Sequence, residues 1–217
     1  FLALLGWAYD GEREMFTVEE LAQHFTLDRV SKNPAIFNYE KLEWMNGEYF
    51  RALRVERRVD LVAAHLRRTG GLPESALADT AYLTRAVEAV GDRMKRPQQF
   101  LEYARYLFVD RVEPEPAPWA ELLLKPLAAA RLRKLADTIA GVTPFEHDPL
   151  DQAARSLASA EGVKFGDLVM PARVALTGKK VSPGIFDVML LLGREKTVKR
   201  LRDAADRLEA ASPAPAS

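Results

Sequence analysis

The side chains that most often carry catalysis are few in this chain, and their spacing matches no known catalytic set. The sequence contains no cysteine, which excludes disulfides, cysteine nucleophiles and thiolate zinc sites. His24, His65 and His147 lie in unrelated segments, and none belongs to an H-E-x-x-H pair. We therefore expect surface or capping histidines. The sequence also lacks the G-x-S-x-G elbow of many serine hydrolases, so a hydrolase is a distant possibility.

The pair Gly178-Lys179 is the feature that most suggests a phosphate-binding loop. That motif requires a glycine five residues before Gly178 and a serine or threonine directly after Lys179. Arg173 and Lys180 occupy these two positions instead. Because two required residues are missing, the sequence does not predict a nucleotide site at this loop.

Charge is balanced over the whole chain but uneven along it. The net charge is zero, which argues against binding of nucleic acid by bulk charge alone. Cations outnumber acids in residues 51–68 and 164–200, whereas residues 10–20 are acidic. A basic face on a neutral protein suits a polyanion bound at one place, and ordinary solvated helix faces are the alternative.

Apolar residues recur at helical spacing along most of the chain, and this periodicity predicts an all-α fold. Thr17 and Glu20 form a capping-box pattern, and Asn38 is placed to cap a helix that ends near Asn46-Gly47. We expect Pro126 to break a long helical pattern. Helices are predicted over residues 54–68, 80–90, 97–108, 118–140, 149–161, 166–177, 183–192 and 195–209.

Helix boundaries are also marked by local signals. Asp148-Pro149 and Ser182-Pro183 each place a capping side chain before a proline, an arrangement typical of a helix start. Glycines suited to a left-handed helix end stand at positions 70, 162, 178 and 193.

The chain divides into consecutive parts. Residues 112–118 (VEPEPAP) indicate a linker. We predict two consecutive helical bundles, over 54–111 and 112–211, preceded by the end of a helical connecting domain over 1–53, with a disordered tail over 212–217. The opening FLALLGW indicates the middle of a helix and hence a fragment. The sequence contains no apolar run of bilayer length, and a cytoplasmic location fits.

Two segments carry a resemblance to a known family. The first is residues 171–178 (PARVALTG), followed by 182–186 (SPGIF) and 191–195 (LLGRE). The second is residues 29–37 (RVSKNPAIF), followed by 44–47 (WMNG). Together they resemble the C-terminal anticodon-binding part of bacterial-type glutamyl-tRNA synthetases. The resemblance covers nearly the whole chain except the tail, and it implies that residues 1–53 end a stem-contact domain.

The resemblance implies roles for two arginines. Arg93 is similar in place to a family arginine that reads the third anticodon base, which separates glutamate from glutamine tRNAs. A guanidinium is a planar donor suited to base acceptors, although Arg96 is a rival and an interaction with the helix C-terminus is the structural alternative. Arg173 corresponds to a family arginine that contacts the anticodon, with a surface salt bridge as its alternative.

The start of the following helix completes the predicted anticodon site. Ser182, Pro183 and Ile185 lie where free backbone amides suit a phosphate or a base carbonyl, and simple helix capping is the alternative. Further contacts with the tRNA backbone or stem are expected from three cations, Arg51, Lys179 and Lys180.

The implied function is tRNA anticodon recognition within an enzyme that joins glutamate to tRNA using ATP and magnesium. The expected partner is glutamate tRNA, bound by a monomer without a membrane. Residues 29–33 (RVSKN) loosely resemble the K-M-S-K-S loop that binds ATP in class I synthetases, but the family has that loop upstream and the H-I-G-H signature is absent. The fragment alone is therefore expected to be inactive, without cofactor or metal. Two points stay open: the parent could also charge glutamine tRNA, and the chain could be a helical protein-interaction module without a nucleic-acid partner.

Overall fold

The computed structural model describes residues 1–211, and within them the fold is all-α, as the sequence predicts. Short 3-10 turns and one π-helical turn, Trp119–Leu123, connect the α-helices. The tail over 212–217, predicted to be disordered, lies outside the described residues. The helices are α1 Val18–His24, α2 Tyr39–Ala52, α3 Val55–Thr69, α4 Glu74–Ala78, α5 Thr80–Val90, α6 Phe100–Ala104, α7 Pro116–Pro118, α8 Ala128–Gly141, α9 His147–Ala160, α10 Phe165–Thr177 and α11 Ile185–Ala211.

Several helix ends lie where the local signals place them. The Thr17 hydroxyl accepts from the Glu20 amide and Glu20 returns the bond, so the capping box is confirmed. Asn38 caps α2 through the Lys41 amide. The predicted glycines at 70, 162 and 178 have positive φ. Gly193 also departs from helical geometry, with φ 75° and ψ 163°, and so bends α11 between the two predicted helices.

Three predicted boundaries are wrong. The helix expected to end near Asn46-Gly47 continues to Ala52, because these residues pack instead of turning. The Asn46 amide donates to the Lys95 carbonyl at 2.7 Å, and a Cβ on Gly47 would lie 3.0 Å from Lys95 Cγ.

The other two errors concern residues before prolines. Asp148 lies inside the first turn of α9, which begins at His147. Its negative charge there still interacts favourably with the positive end of the helix dipole. Ser182 does not cap α11, which begins at Ile185, because its hydroxyl is bonded to the side chain of Arg173.

A continuous apolar core joins both predicted bundles. Phe100 and Leu83 of the first part and Leu132 and Met189 of the second are at most 1% exposed and belong to the same cluster. The division at residue 111 therefore stays a prediction. Trp7 packs apart from this core, among the rings of nearby residues of the N-terminal segment.

Arg200 of α11 is the buried polar link within this core. It is only 4% exposed, and its guanidinium donates to the carbonyls of Leu176 and Tyr106, both at 2.8 Å, and of Val109. Burial lowers its pKa, but arginine stays charged in proteins. Arg200 therefore ties the end of α10 to the turn that follows α6, so it connects the two predicted bundles.

Pro126 interrupts the helical pattern as predicted, and the interruption contains a strained residue. The π-helical turn ends at Leu123 and α8 begins at Ala128. Leu127, between them, has a φ of 65°, a left-handed value that side chains with a Cβ rarely adopt. Its side chain is 67% exposed, so packing gains little from a leucine there.

Leu127→Gly is expected to stabilise the chain by about 1 kcal/mol, because glycine adopts a left-handed conformation without steric cost. Thermal or urea unfolding of the two proteins measures the difference. The control is Leu124→Gly, at another exposed leucine of the same turn whose φ is negative. If Leu127→Gly and Leu124→Gly lose equal stability, the left-handed conformation of Leu127 is not strained.

Candidate nucleic-acid interface

Arg93 lies on a tight turn between a glycine, Gly91, and a buried residue, Met94. The end of α5 is formed by Gly91, with a φ of 56°, and the next residues form a single 3-10 turn that closes at Arg93. Met94, which follows, is fully buried and fixes the turn to the core. The Arg93 side chain is exposed, and its Nη1 donates to the Val90 carbonyl over a long 3.5 Å.

Arg173 of α10 braces the loop that leads to α11. Its Nη1 donates to the carbonyls of Ser182, at 3.2 Å, and Pro183, and to the Ser182 hydroxyl. The expected alternative, a surface salt bridge, is absent over residues 1–211. Arg173 is half-buried, so part of its guanidinium is still available for a ligand.

Arg93 and Arg173 lie 80 positions apart in the sequence, and the fold places them near enough for their charges to act on each other. Burial lowers the pKa of Arg173, the nearby Tyr106 raises it, and the charge of Arg93 lowers it further. Neither guanidinium has an acidic partner in the described part of the chain. Two close and unneutralised cations favour a bound anion.

Ser182 and Pro183 accept hydrogen bonds from Arg173, and together with Ile185 they are buried. The exposed residues of this segment are Val181 and Gly184, which the sequence did not single out because nothing local marks them as accessible. Val181 and Gly184 are therefore the accessible residues of this helix start, and ligand contact by Ser182, Pro183 and Ile185 stays a prediction.

The first turn of α11 already contains an acceptor. The nearest atoms to Gly184 are those of the Asp187 carboxylate, which a Cβ at position 184 would displace. A carboxylate beside free amides offers both an acceptor and donors. This arrangement suits the edge of a base better than a phosphate.

The three cations expected to contact the tRNA backbone are engaged within the chain. Arg51 pairs with Glu48, Lys179 donates to the Glu102 carbonyl at 2.8 Å, and Lys180 pairs with Glu121 at 2.8 Å. Arg96, the rival of Arg93, pairs with Glu43 at 3.7 Å. Because exposed ion pairs are weak, these pairings would not prevent the cations from binding tRNA. The contact of Arg51, Lys179 and Lys180 with tRNA stays a prediction.

Several cations that the sequence did not single out have no ion-pair partner in the described residues. A sequence cannot show which cations are left unpaired, because the pairing partner of Lys180 lies 59 residues away. These unpaired cations include Lys95, Arg105 and Lys125. They are the better candidates for phosphate contacts, since they lose no internal partner on binding.

Residues 1–211 contain no group of three or more acidic or histidine side chains placed to hold a metal ion. None of their helices is long and apolar enough to cross a membrane.

The fold and the paired arginines agree with a family comparison. The model of the anticodon-binding domain family matches residues 57–205, and the chain belongs to this family. The resemblance to glutamyl-tRNA synthetases seen in the sequence is confirmed by its relatives. The chain is 36% identical over 206 residues to the glutamate–tRNA ligase of Thermodesulfovibrio yellowstonii, covering 95% of this chain and 44% of that protein.

Other relatives agree. The glutamate–tRNA ligase of Roseiflexus castenholzii is 38% identical over 216 residues, covering 97% of this chain and 42% of that protein. The chain thus spans less than half the length of the curated relatives it matches.

Solved structures share the fold. A glutamate tRNA ligase from Elizabethkingia meningosepticum, solved in complex with its amino acid, matches with a TM-score of 0.84 and 22% identity. The match covers 95% of this chain and 40% of that one. A glutamate–tRNA synthetase from Elizabethkingia anophelis matches with a TM-score of 0.78 and 20% identity, covering 94% and 39%.

Proposed function

We propose that this chain is the anticodon-reading part of a glutamate–tRNA ligase. The observation that carries the proposal is the pair Arg93 and Arg173, two unneutralised cations brought together within an anticodon-binding domain. Arg93 would read the third anticodon base. Arg173, with the segment of Ser182, Pro183 and Ile185, would hold the neighbouring bases.

The whole enzyme would join glutamate to tRNA, using ATP and magnesium. This chain would contribute affinity and base discrimination and no step of the chemistry. Its proposed partner is glutamate tRNA, bound by a monomer in the cytoplasm. Residues 1–53 would end a domain that contacts the tRNA stem, and the bundles over 54–111 and 112–211 would bind the anticodon.

A second candidate function, protein interaction, is favoured by one observation. Large apolar side chains of the N-terminal segment are exposed, among them Ile36 at 89%, Tyr39 at 76% and Leu2 at 74%. Exposed apolar surface is a mark of protein contacts. Contacts by this segment are compatible with RNA binding by the arginine pair, which belongs to other elements.

The two candidates differ in their response to salt. An RNA bound through phosphates must lose affinity steeply as salt rises, because counterions are released on binding. The test is fluorescence anisotropy with a glutamate anticodon stem-loop at several salt concentrations. Absence of binding at low salt would overturn the proposal and leave protein interaction.

Arg173→Ala is expected to weaken binding of this stem-loop about 10- to 150-fold, because a charged contact of about 1.5–3 kcal/mol is lost. The control is Arg155→Ala, at an arginine of α9 that is paired with Asp151 at 2.7 Å. Equal affinities of the two variants, both of them folded, would contradict the assigned role of Arg173.

A further inference from the structure

An apolar cavity lies next to the Arg173 segment and is not part of the proposed anticodon contacts. It lies between the π-helical turn, α8 and the start of α10, and its volume is about 320 Å³. This is near the lower end of small-ligand sites, about 300–1,000 Å³. Its apolar wall includes Leu122, Leu132, Leu168, Met170 and Pro171.

Polar groups without partners surround this apolar wall. Arg131 lines the cavity, and its Nε is buried without a hydrogen-bond partner in the described residues. Lys125 and Asp167 also line it, and their side chains form no ion pair or hydrogen bond within residues 1–211. The cavity thus combines flat apolar contact with both donors and an acceptor, as recognition of a base edge requires.

Two observations connect the cavity to the Arg173 segment. Met170 of α10 lines the cavity, and Arg173 follows it by three positions on the same helix. Residues three apart on a helix are surface neighbours, with about 5–6 Å between their Cβ atoms, so Arg173 lies one helical turn from the cavity wall. The Lys180–Glu121 ion pair, at 2.8 Å, holds the loop after α10 against the π-helical turn that contributes Leu122. A single RNA loop can therefore reach both places.

The rim supplies a third observation. Leu127, two residues from Lys125, is held in a left-handed conformation, and strained backbone concentrates at functional sites. The neighbouring Leu124 and Leu127 are 57% and 67% exposed. Both are close in sequence to Lys125, which lines the cavity, so exposed apolar side chains flank this cation along the chain.

We propose that this cavity binds one unpaired nucleobase of the RNA loop held by the arginine pair. The base would lie against Leu122 and Met170, with Arg131 donating to a ring or carbonyl acceptor and Asp167 accepting from an exocyclic amino group. Lys125 would neutralise the adjoining phosphate. The inference rests on the proposed function and adds a binding place for a base to it.

Filling the cavity tests the proposal. Gly166 lines it, and a Cβ there would meet nothing within 4 Å, so Gly166→Phe introduces a ring without a clash at its Cβ. The matched control is Gly141→Phe, at a helical and exposed glycine of α8 with the same open surroundings. Thermal unfolding of both variants checks that they are folded.

Affinity is measured by anisotropy with the full chain and a series of anticodon stem-loops, each lacking one loop base. Gly166→Phe is expected to weaken the intact loop about 5- to 150-fold, the range for loss of one stacked base, and Gly141→Phe to leave it unchanged. Removal of the one base that occupies the cavity should weaken the wild type similarly and have no further effect in Gly166→Phe.

Three outcomes overturn the proposal. If the wild type does not bind any loop, the proposed function and the cavity site both fail. If it binds but Gly166→Phe behaves like Gly141→Phe, only the cavity site fails. If Gly166→Phe weakens every member of the abasic series by the same factor, the ring acts on something other than a base.

Discussion

Arg200→Met is expected to lower the free energy of unfolding by about 3 kcal/mol or more. Methionine keeps most of the volume but leaves the carbonyls of Leu176, Tyr106 and Val109 without the guanidinium that now satisfies them. Each buried acceptor that loses its partner costs about 1–3 kcal/mol. The loss would loosen the contact between α11 and the turn after α6.

The difference in free energy of unfolding is measured by urea or thermal unfolding, monitored by circular dichroism. The control lies two positions further along the same helix: Arg202 is exposed and pairs with Asp137 at 2.7 Å, and Arg202→Met should cost less than about 1 kcal/mol. Arg200→Lys should fall between wild type and Arg200→Met, since one ammonium keeps the charge but cannot reach all three carbonyls. Equal stability of the two methionine variants would show that the buried network contributes nothing.

Arg93→Gln is expected to relax the choice of the third anticodon base more than it weakens binding overall. A bidentate base contact is worth about 1–3 kcal/mol of discrimination, and glutamine can both donate and accept, so it tolerates several bases. Because Arg93 is exposed and its only hydrogen bond within residues 1–211 is the 3.5 Å contact with the Val90 carbonyl, the change should leave the fold intact.

The measurement is the ratio of affinities for stem-loops that differ only at the third anticodon base. Arg96→Gln is the matched control, because it removes the same group from a neighbouring arginine whose charge is paired with Glu43. A fall in the ratio for Arg93→Gln alone assigns the reading to Arg93. A fall for Arg96→Gln alone assigns the reading to Arg96. Unchanged ratios for both variants would show that the role inferred from the family resemblance is wrong.

The parts of this fold that could be predicted are those determined within a few residues. The capping box of Thr17 and Glu20 spans three positions, and the positive φ of Gly178 follows from its place at a helix end. The same logic was wrong for Ser182, because a bond from Arg173 nine residues earlier competes with capping. Local sequence contains no information about that competitor.

The site was less predictable than the fold. Arg200 looks like any cation of a charged helix in the sequence, and only tertiary packing buries it. The engagement of Lys179 and Lys180 likewise depends on residues far away in the chain. The proximity of Arg93 and Arg173 was expected through the family resemblance alone, since neither periodicity nor charge pattern relates two positions in different helices.

The continuous core described above has a thermodynamic consequence for recognition. Met94, next to Arg93, and the helix that contains Arg173 are packed in one interior, so the two positive charges already act on each other in the free protein. An anion that enters between them relieves this repulsion, and the protein loses little conformational entropy because both side chains' supports are already ordered. If the chain binds an anticodon loop as proposed, part of the affinity would come from relief of this repulsion.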